Sequence, residues 1–236
     1  MDDVEWRVPK RVKKRWYLNI DARERDRGSF GQVFRGTLEK IPYIKVAVKK
    51  QKVDSHEHEV SILRGLDHTN IVPLLGSYVE KGMGYLVVPM YESNLSDWEG
   101  ECYDLLADEL TGLDYLKSQR VVHCDIKPEN ICVRNSEEMG PEGVIIDFGL
   151  AKYDGEKNEG NTPYYYIKYL KKQGLQMGTL GYLKYDYNLS HDYDVFCLGI
   201  LSEEIQAPDR EECEGFGKSL LMEVPVFRQD RPSLRL

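Results

Sequence analysis

Hydrophobic and polar residues alternate with a period of two along YLNIDARE (17–24), GQVFRGTLE (31–39) and the β-branched run YIKVAVKK (43–50), and glycines and Pro42 separate the runs. Such alternation predicts strands. Asp54, followed three positions later by Glu57, predicts a capping box and a helix running from there to about Gly65. Two more strands are expected around IVPLLGSYV (71–79) and GYLVVPM (84–90), the second stopped by Pro89 and the polar YESN. Beyond this point the period lengthens. Leu106, Leu110 and Leu113 share one helical face, as do Val195, Leu198, Leu201 and Ile205. A β-rich front and an α-rich back, joined by a short polar segment near residues 89–94, predict an α+β chain of two lobes with a cleft between them. The expected division is a basic flank over residues 1–16, a front lobe over 17–91 and a back lobe over 92–236.

Composition narrows the possible functions. The 236 residues are 41% hydrophobic and 31% charged, as in ordinary globular chains. A net charge of −8 argues against nucleic acid as the main partner, since phosphate binders carry a basic excess. The run RVPKRVKKRW at 7–16 is the exception, either a solvated flank or a patch for nuclear targeting or an anionic surface. Five cysteines without a CxxC pair indicate neither a disulfide framework nor a zinc site and fit a reducing compartment. The charged N-terminus and the absence of a run of about 18 apolar residues predict an intracellular protein, cytoplasmic or nuclear, without a membrane span.

Three places carry candidate chemistry. Gly28 and Gly31 lie between two strands, where they either let a backbone approach a phosphate or form only a turn. Lys49 ends the strand VAVK, and Glu59 shares a helical face with Ile62, Leu63 and Leu66. A carboxylate there is either paired with a cation such as Lys49 or sits at the edge of an amphipathic helix. The third place is VVHCDIKPENICV (121–133), followed by VIIDFGLA (144–151). Asn130 and Asp147 supply hard oxygen atoms suited to Mg²⁺ beside a polyphosphate. Asp125 is then free to orient a hydroxyl and accept its proton, and Lys127 to balance charge on a moving phosphoryl group.

VAVK, HCDIKPEN and DFGLA, in this order after a glycine loop, closely resemble the eukaryotic-type protein kinases over roughly residues 17–236. The resemblance implies a two-lobed kinase fold, binding of ATP and Mg²⁺, and transfer of the γ-phosphoryl group to a protein substrate. It implies that Lys49 holds nucleotide phosphates and pairs with Glu59, that Asp125 and Lys127 act at the transfer, and that Asn130 and Asp147 are metal ligands. The nucleotide would be enclosed by Gly28, Ser29, Phe30 and Gly31, by Val33, Ala47 and Cys132 above and below adenine, and by Val88, Met90 and Tyr91 at the gatekeeper and hinge. Leu63, Leu74, His123 and Phe148 match a stack joining the lobes. Lys127, together with Thr179 in GTLGY, matches the Ser/Thr class, and Glu129 and Glu204 are either receivers of a substrate arginine or solvated acids.

The chain also departs from the family pattern. Asp26 stands where a third loop glycine is usual, and an acidic group near phosphate weakens nucleotide binding if it points inward. Cys124 replaces an arginine that receives an activating phosphate, so activity is expected not to depend on activation-segment phosphorylation. Asp186 in KYD and Arg231 are a candidate pair in place of the usual glutamate and arginine. The 153–177 segment is rich in tyrosine (Tyr164, Tyr165, Tyr166, Tyr169), and the later helices of the back lobe look reduced, as in a compact family member. The competing readings are a pseudokinase that binds or scaffolds another kinase or its substrate, and a kinase acting on a small molecule.

Overall fold

The computed structural model describes residues 5–6, 17–28, 31–39, 44–100, 103–136, 140–155 and 191–204. Its contacts divide the chain between Tyr91 and Glu92 into two units.

The first unit is built on an antiparallel sheet of strands β1 (Glu5–Trp6), β2 (Tyr17–Gly28), β3 (Gly31–Glu39), β4 (Ile44–Lys52), β5 (Gly76–Glu80) and β6 (Met83–Pro89), in the order β1-β5-β6-β4-β3-β2. Strand period puts Val46 and Val48 of β4 on one face, fully buried with Phe34, Leu38 and Val87. Ala47, Lys49 and Gln51 therefore take the other face. Two residues of the basic flank, Glu5–Trp6, extend the sheet by pairing with Ser77 and Gly76.

Helix α1 (Val53–Leu63) follows β4 with no intervening loop, which overturns the expected capping box. Lys52 occupies the cap position in an extended conformation and makes no side-chain cap bond, and Asp54 falls inside the first turn. There it meets the positive end of the helix dipole instead of capping an N–H. The strand expected from Ile71 also starts later, at Gly76. Ile71, Val72 and Leu74 are buried nonetheless, so their apolar character reflects core packing of an irregular segment.

The second unit contains α2 (Tyr103–Ser118) and α3 (His191–Glu204). It also has a small sheet in which β7 (Ser93–Asn94) and β10 (Gly140–Ile145) flank β9 (Ile131–Ser136), and a strand pair of β8 (Val121–Val122) with β11 (Lys152–Tyr153). Pro141 is tolerated because β10 is an edge strand. Helix α2 packs on β10, β8 and α3. Its inward face differs from the expected one: Leu105, Leu106, Leu113 and Leu116 are buried, whereas Leu110 is only half-buried and Glu109 takes the interior place. On α3 the buried set includes Leu198 and Leu201, as expected, together with His191, Asp194 and Cys197, while Val195 is half-buried and Ile205 lies outside the described residues. No helix among the described residues is long and apolar enough to cross a membrane.

Candidate active site

In the first unit the site is organised by β4. Lys49 Nζ donates to Glu59 Oε1 at 3.0 Å and to Oε2 at 2.8 Å. Glu59 is 1% exposed, so the paired alternative of the two sequence readings is the one realised. A buried carboxylate without its cation would carry a large desolvation cost. Helix α1 lies close enough for this contact because β6 carries Gly84, where an added Cβ would fall 2.2 Å from the His56 side chain. Gln51 Nε2 makes a further bond to Glu59 Oε2, at 2.8 Å.

Several residues expected around a nucleotide are brought together on this sheet. Gly28 lies opposite Gly31, Val33 opposite Lys49, and Ala47 opposite Val88. Val33, Ala47, Val88, Met90 and Tyr91 are half-buried, and the Met90 N–H donates to the Lys45 carbonyl at 3.2 Å. The backbone of Asp26 lies opposite Val33. Ser29, Phe30 and Thr179 lie outside the described residues, as do Asp186, Arg231, the tyrosine-rich 156–177 stretch and the segment beyond Glu204.

In the second unit β8 delivers the chain into a loop held from within. His123 is fully buried. Its Nε2 faces the Ile146 carbonyl at 2.9 Å, and its Nδ1 faces the Asp125 N–H at 3.3 Å. A carbonyl only accepts and an amide N–H only donates, so the proton resides on Nε2. The same ring meets Phe148 edge to face, with centroids 4.8 Å apart, while Leu63 and Leu74 are buried in the first unit.

The Asp125 carboxylate is fixed through one oxygen. Lys127 Nζ donates to Oδ2 at 2.5 Å and Asn130 Nδ2 to the same atom at 2.9 Å. Asn130 Nδ2 also reaches the Asp125 carbonyl at 2.8 Å. Oδ1 takes no hydrogen bond from the described residues. The local 3-10 turn Pro128–Asn130, with proline at its start, is what brings Asn130 back over Asp125.

Asn130 and Asp147 are joined by backbone, since the Ile146 N–H donates to the Asn130 carbonyl at 2.9 Å. With the Asn130 amide nitrogen committed to Asp125, its Oδ1 is the atom left for a cation. Asp147 adopts φ 63° and its Oδ1 accepts from the Gly149 N–H at 3.4 Å. Among the described residues no group of three or more His, Cys, Asp or Glu side chains is placed to hold a metal. Two hard oxygen donors do fit Mg²⁺, which retains waters and takes its other ligands from phosphates.

Asp194 of α3 was not foreseen. It is fully buried and accepts the N–H of His123 at 2.6 Å and that of Cys124 at 2.9 Å. Burial pushes its carboxyl above the ordinary aspartate value, while the neighbouring His123 and these two bonds pull it down. Cys124 sits at φ 69°, a strained conformation for a residue other than glycine. Its buried thiol packs near Val122 and Leu150, and burial raises its pKa strongly. Cys132 is half-buried on β9 opposite Asn94 and Val144, with its thiol pushed up to about 12, first by burial and then by the Glu109 charge. The available signal for both Asp194 and Glu109 was a carboxylate placed among apolar positions of a helix.

Residues 26–209 match the protein kinase domain. The chain belongs to the protein kinase family. Over 143 residues this kinase-family chain is 34% identical to the calcium/calmodulin-dependent protein kinase type 1 of Macrobrachium nipponense, covering 54% of the chain and 41% of that protein. It is 27% identical over 248 aligned positions to the serine/threonine-protein kinase TIO of Arabidopsis thaliana, covering 88% of the chain and 18% of that protein. The serine/threonine-protein kinase US3 of human herpesvirus 1 (strain 17) is 32% identical over 146 residues, with 58% and 29% covered. The chain thus spans less than half the length of each of these relatives. Family membership carries the two-lobed α+β kinase fold, and with it the expectation of a phosphotransferase that uses ATP.

Proposed function

We propose that the chain transfers the γ-phosphoryl group of ATP to serine or threonine hydroxyls of protein substrates. The observation that carries the reading is the state of Asp125: one carboxylate oxygen is anchored by Lys127 and Asn130, and the other takes no bond from the described residues. A base held this way keeps its orientation and still has a lone pair for the attacking hydroxyl's proton. Lys127, bonded to Oδ2, balances negative charge as the hydroxyl oxygen engages the phosphoryl group. Lys49, held by Glu59, presents its ammonium to the nucleotide phosphates, so catalysis is mainly positioning and electrostatic stabilisation. Asn130 Oδ1 and the Asp147 carboxylate would hold Mg²⁺, which neutralises phosphate charge when bound. The half-buried Val33, Ala47, Val88, Met90 and Tyr91 of the first unit, with Gly28 and Gly31, would contact the nucleotide, and the family resemblance assigns Cys132 of the second unit to adenine. Serine and threonine are favoured by Lys127, by Thr179 in GTLGY, and by relatives named serine/threonine-protein kinases.

Activity without activation-segment phosphorylation belongs to the same reading. Cys124 presents a buried thiol packed near apolar neighbours and offers no cation to a phosphate. The test incubates pure protein with Mg²⁺ and labelled ATP, and follows transfer to itself and to a basic test protein beside an Asp125→Asn control. Transfer well above the control, unchanged within about twofold after phosphatase treatment, is expected. Nucleotide binding with no transfer above the control would replace this reading with a pseudokinase. Loss of most activity on dephosphorylation would overturn the regulatory part alone.

A further inference from the structure

Gln51 follows Lys49 by two positions on β4, and strand geometry puts both on the face that meets α1. The Gln51 side chain is buried and spans from β4 to Glu59 Oε2, the oxygen that Lys49 also reaches at 2.8 Å. A carboxylate only accepts, so the amide nitrogen must face it and the amide oxygen must face away. Gln51 Oε1 is accordingly buried with no hydrogen-bond partner among the described residues. One end of this side chain serves Glu59 and the other end carries an unrelieved desolvation cost. An apolar residue at this place in the sheet would avoid that cost.

We infer that Gln51 is a positioning residue for phosphoryl transfer, acting through Glu59. The Lys49 pair alone leaves the carboxylate free to swing with α1. A third hydrogen bond, from a second donor rooted in the same strand as Lys49, fixes Oε2 relative to β4 and so ties α1 to the sheet from within. In a chain whose Cys124 offers no receiver for an activating phosphate, this internal tie keeps Lys49 presented. The inference rests on the proposed transfer reaction and deepens it.

A mutational cycle tests it. Gln51→Met retains length and apolar packing but loses the donor and the orphaned oxygen, and Gln51→Asn retains the amide but falls one methylene short. Both are expected to lower kcat/KM for ATP by about tenfold, the scale of one hydrogen bond to a charged group. The thermal midpoint of Gln51→Met should stay level or rise. In a Glu59→Gln background neither substitution should lower kcat/KM further, because the effect runs through Glu59. Unchanged kcat/KM, an equal loss in the Glu59→Gln background, or a loss that merely tracks a falling midpoint would overturn the inference. If wild-type protein shows no transfer above Asp125→Asn, the transfer reading fails by itself. The same cycle read as Mg·ATP affinity by calorimetry then decides Gln51: weaker binding in Gln51→Met that vanishes in the Glu59→Gln background supports the tie, and unchanged binding refutes it.

Discussion

Glu109 sits fully buried in the middle of α2, and neither carboxylate oxygen has a hydrogen-bond partner among the described residues. It fits because β10 carries Gly143 opposite it: a Cβ there would come within 2.6 Å of Glu109 Oε1 and 2.9 Å of the Leu105 carbonyl. Burial, and secondarily the nearby Asp108 charge, raises its pKa well above the ordinary 4.5. Below that ordinary value both folded and unfolded chains hold the proton, and stability is at its fullest. Between the ordinary and the raised value the unfolded chain has released the proton while the fold still binds it, so stability falls as pH rises. With a difference of one proton the slope approaches about 1.4 kcal/mol per pH unit. For a chain of this size that corresponds to about 3–5 °C in thermal midpoint per unit.

Glu109→Gln removes the titration and keeps the shape, whereas Glu109→Leu removes the buried polar group as well. Thermal unfolding followed by circular dichroism from pH 5 to 8 should therefore show a steeper decline for wild type than for Glu109→Gln. Glu109→Leu should melt highest at the alkaline end. Parallel curves for wild type and Glu109→Gln would refute the argument, because they would mean that the carboxyl titrates alike in folded and unfolded chains.

Two further substitutions probe how the site is held. Gly84→Ala drives a Cβ to within 2.2 Å of His56 Cβ and Cγ, which cannot rotate away, so α1 must shift. A stability loss of about 1–3 kcal/mol in urea unfolding and a raised KM for ATP are expected, and unaltered values of both would contradict the packing account. Asp194→Asn retains only one of the two acceptors for the His123 and Cys124 N–H groups. It should cost about 1–3 kcal/mol and lower kcat more than it raises KM, and a variant with wild-type stability would show that the strained loop stands without Asp194.

The parts of the site legible in the sequence are local. HCDIKPEN places Asp125, Lys127 and Asn130 within six positions, and a proline-led turn is enough to bring them together. The Lys49–Glu59 pair was one of two open readings, since a strand end and a helix face ten residues apart meet only if the helix packs on the sheet. The expected capping box is absent because β4 runs straight into α1, and that junction, which Asp54 and Glu57 do not encode, sets where the helix begins. The strand expected at Ile71 and the inward place expected for Leu110 failed for a related reason: apolar character reports burial and leaves open which backbone or which neighbour provides it.

By itself the sequence determined the order of strands and helices in outline, the α+β class and the closeness of Asp125, Lys127 and Asn130, because periodicity and motif spacing act over a few residues. Tertiary structure alone decided the rest. Asp194 reaches the backbone of His123 and Cys124 across some seventy residues of chain. Gln51 became the third hold on Glu59 only when α1 lay down on β4, and Glu109 became a buried acid only when Gly143 was set against it. A hydrogen bond between distant segments and the desolvation of a charge depend on what packs beside a residue, and the pattern along the chain does not contain that neighbour.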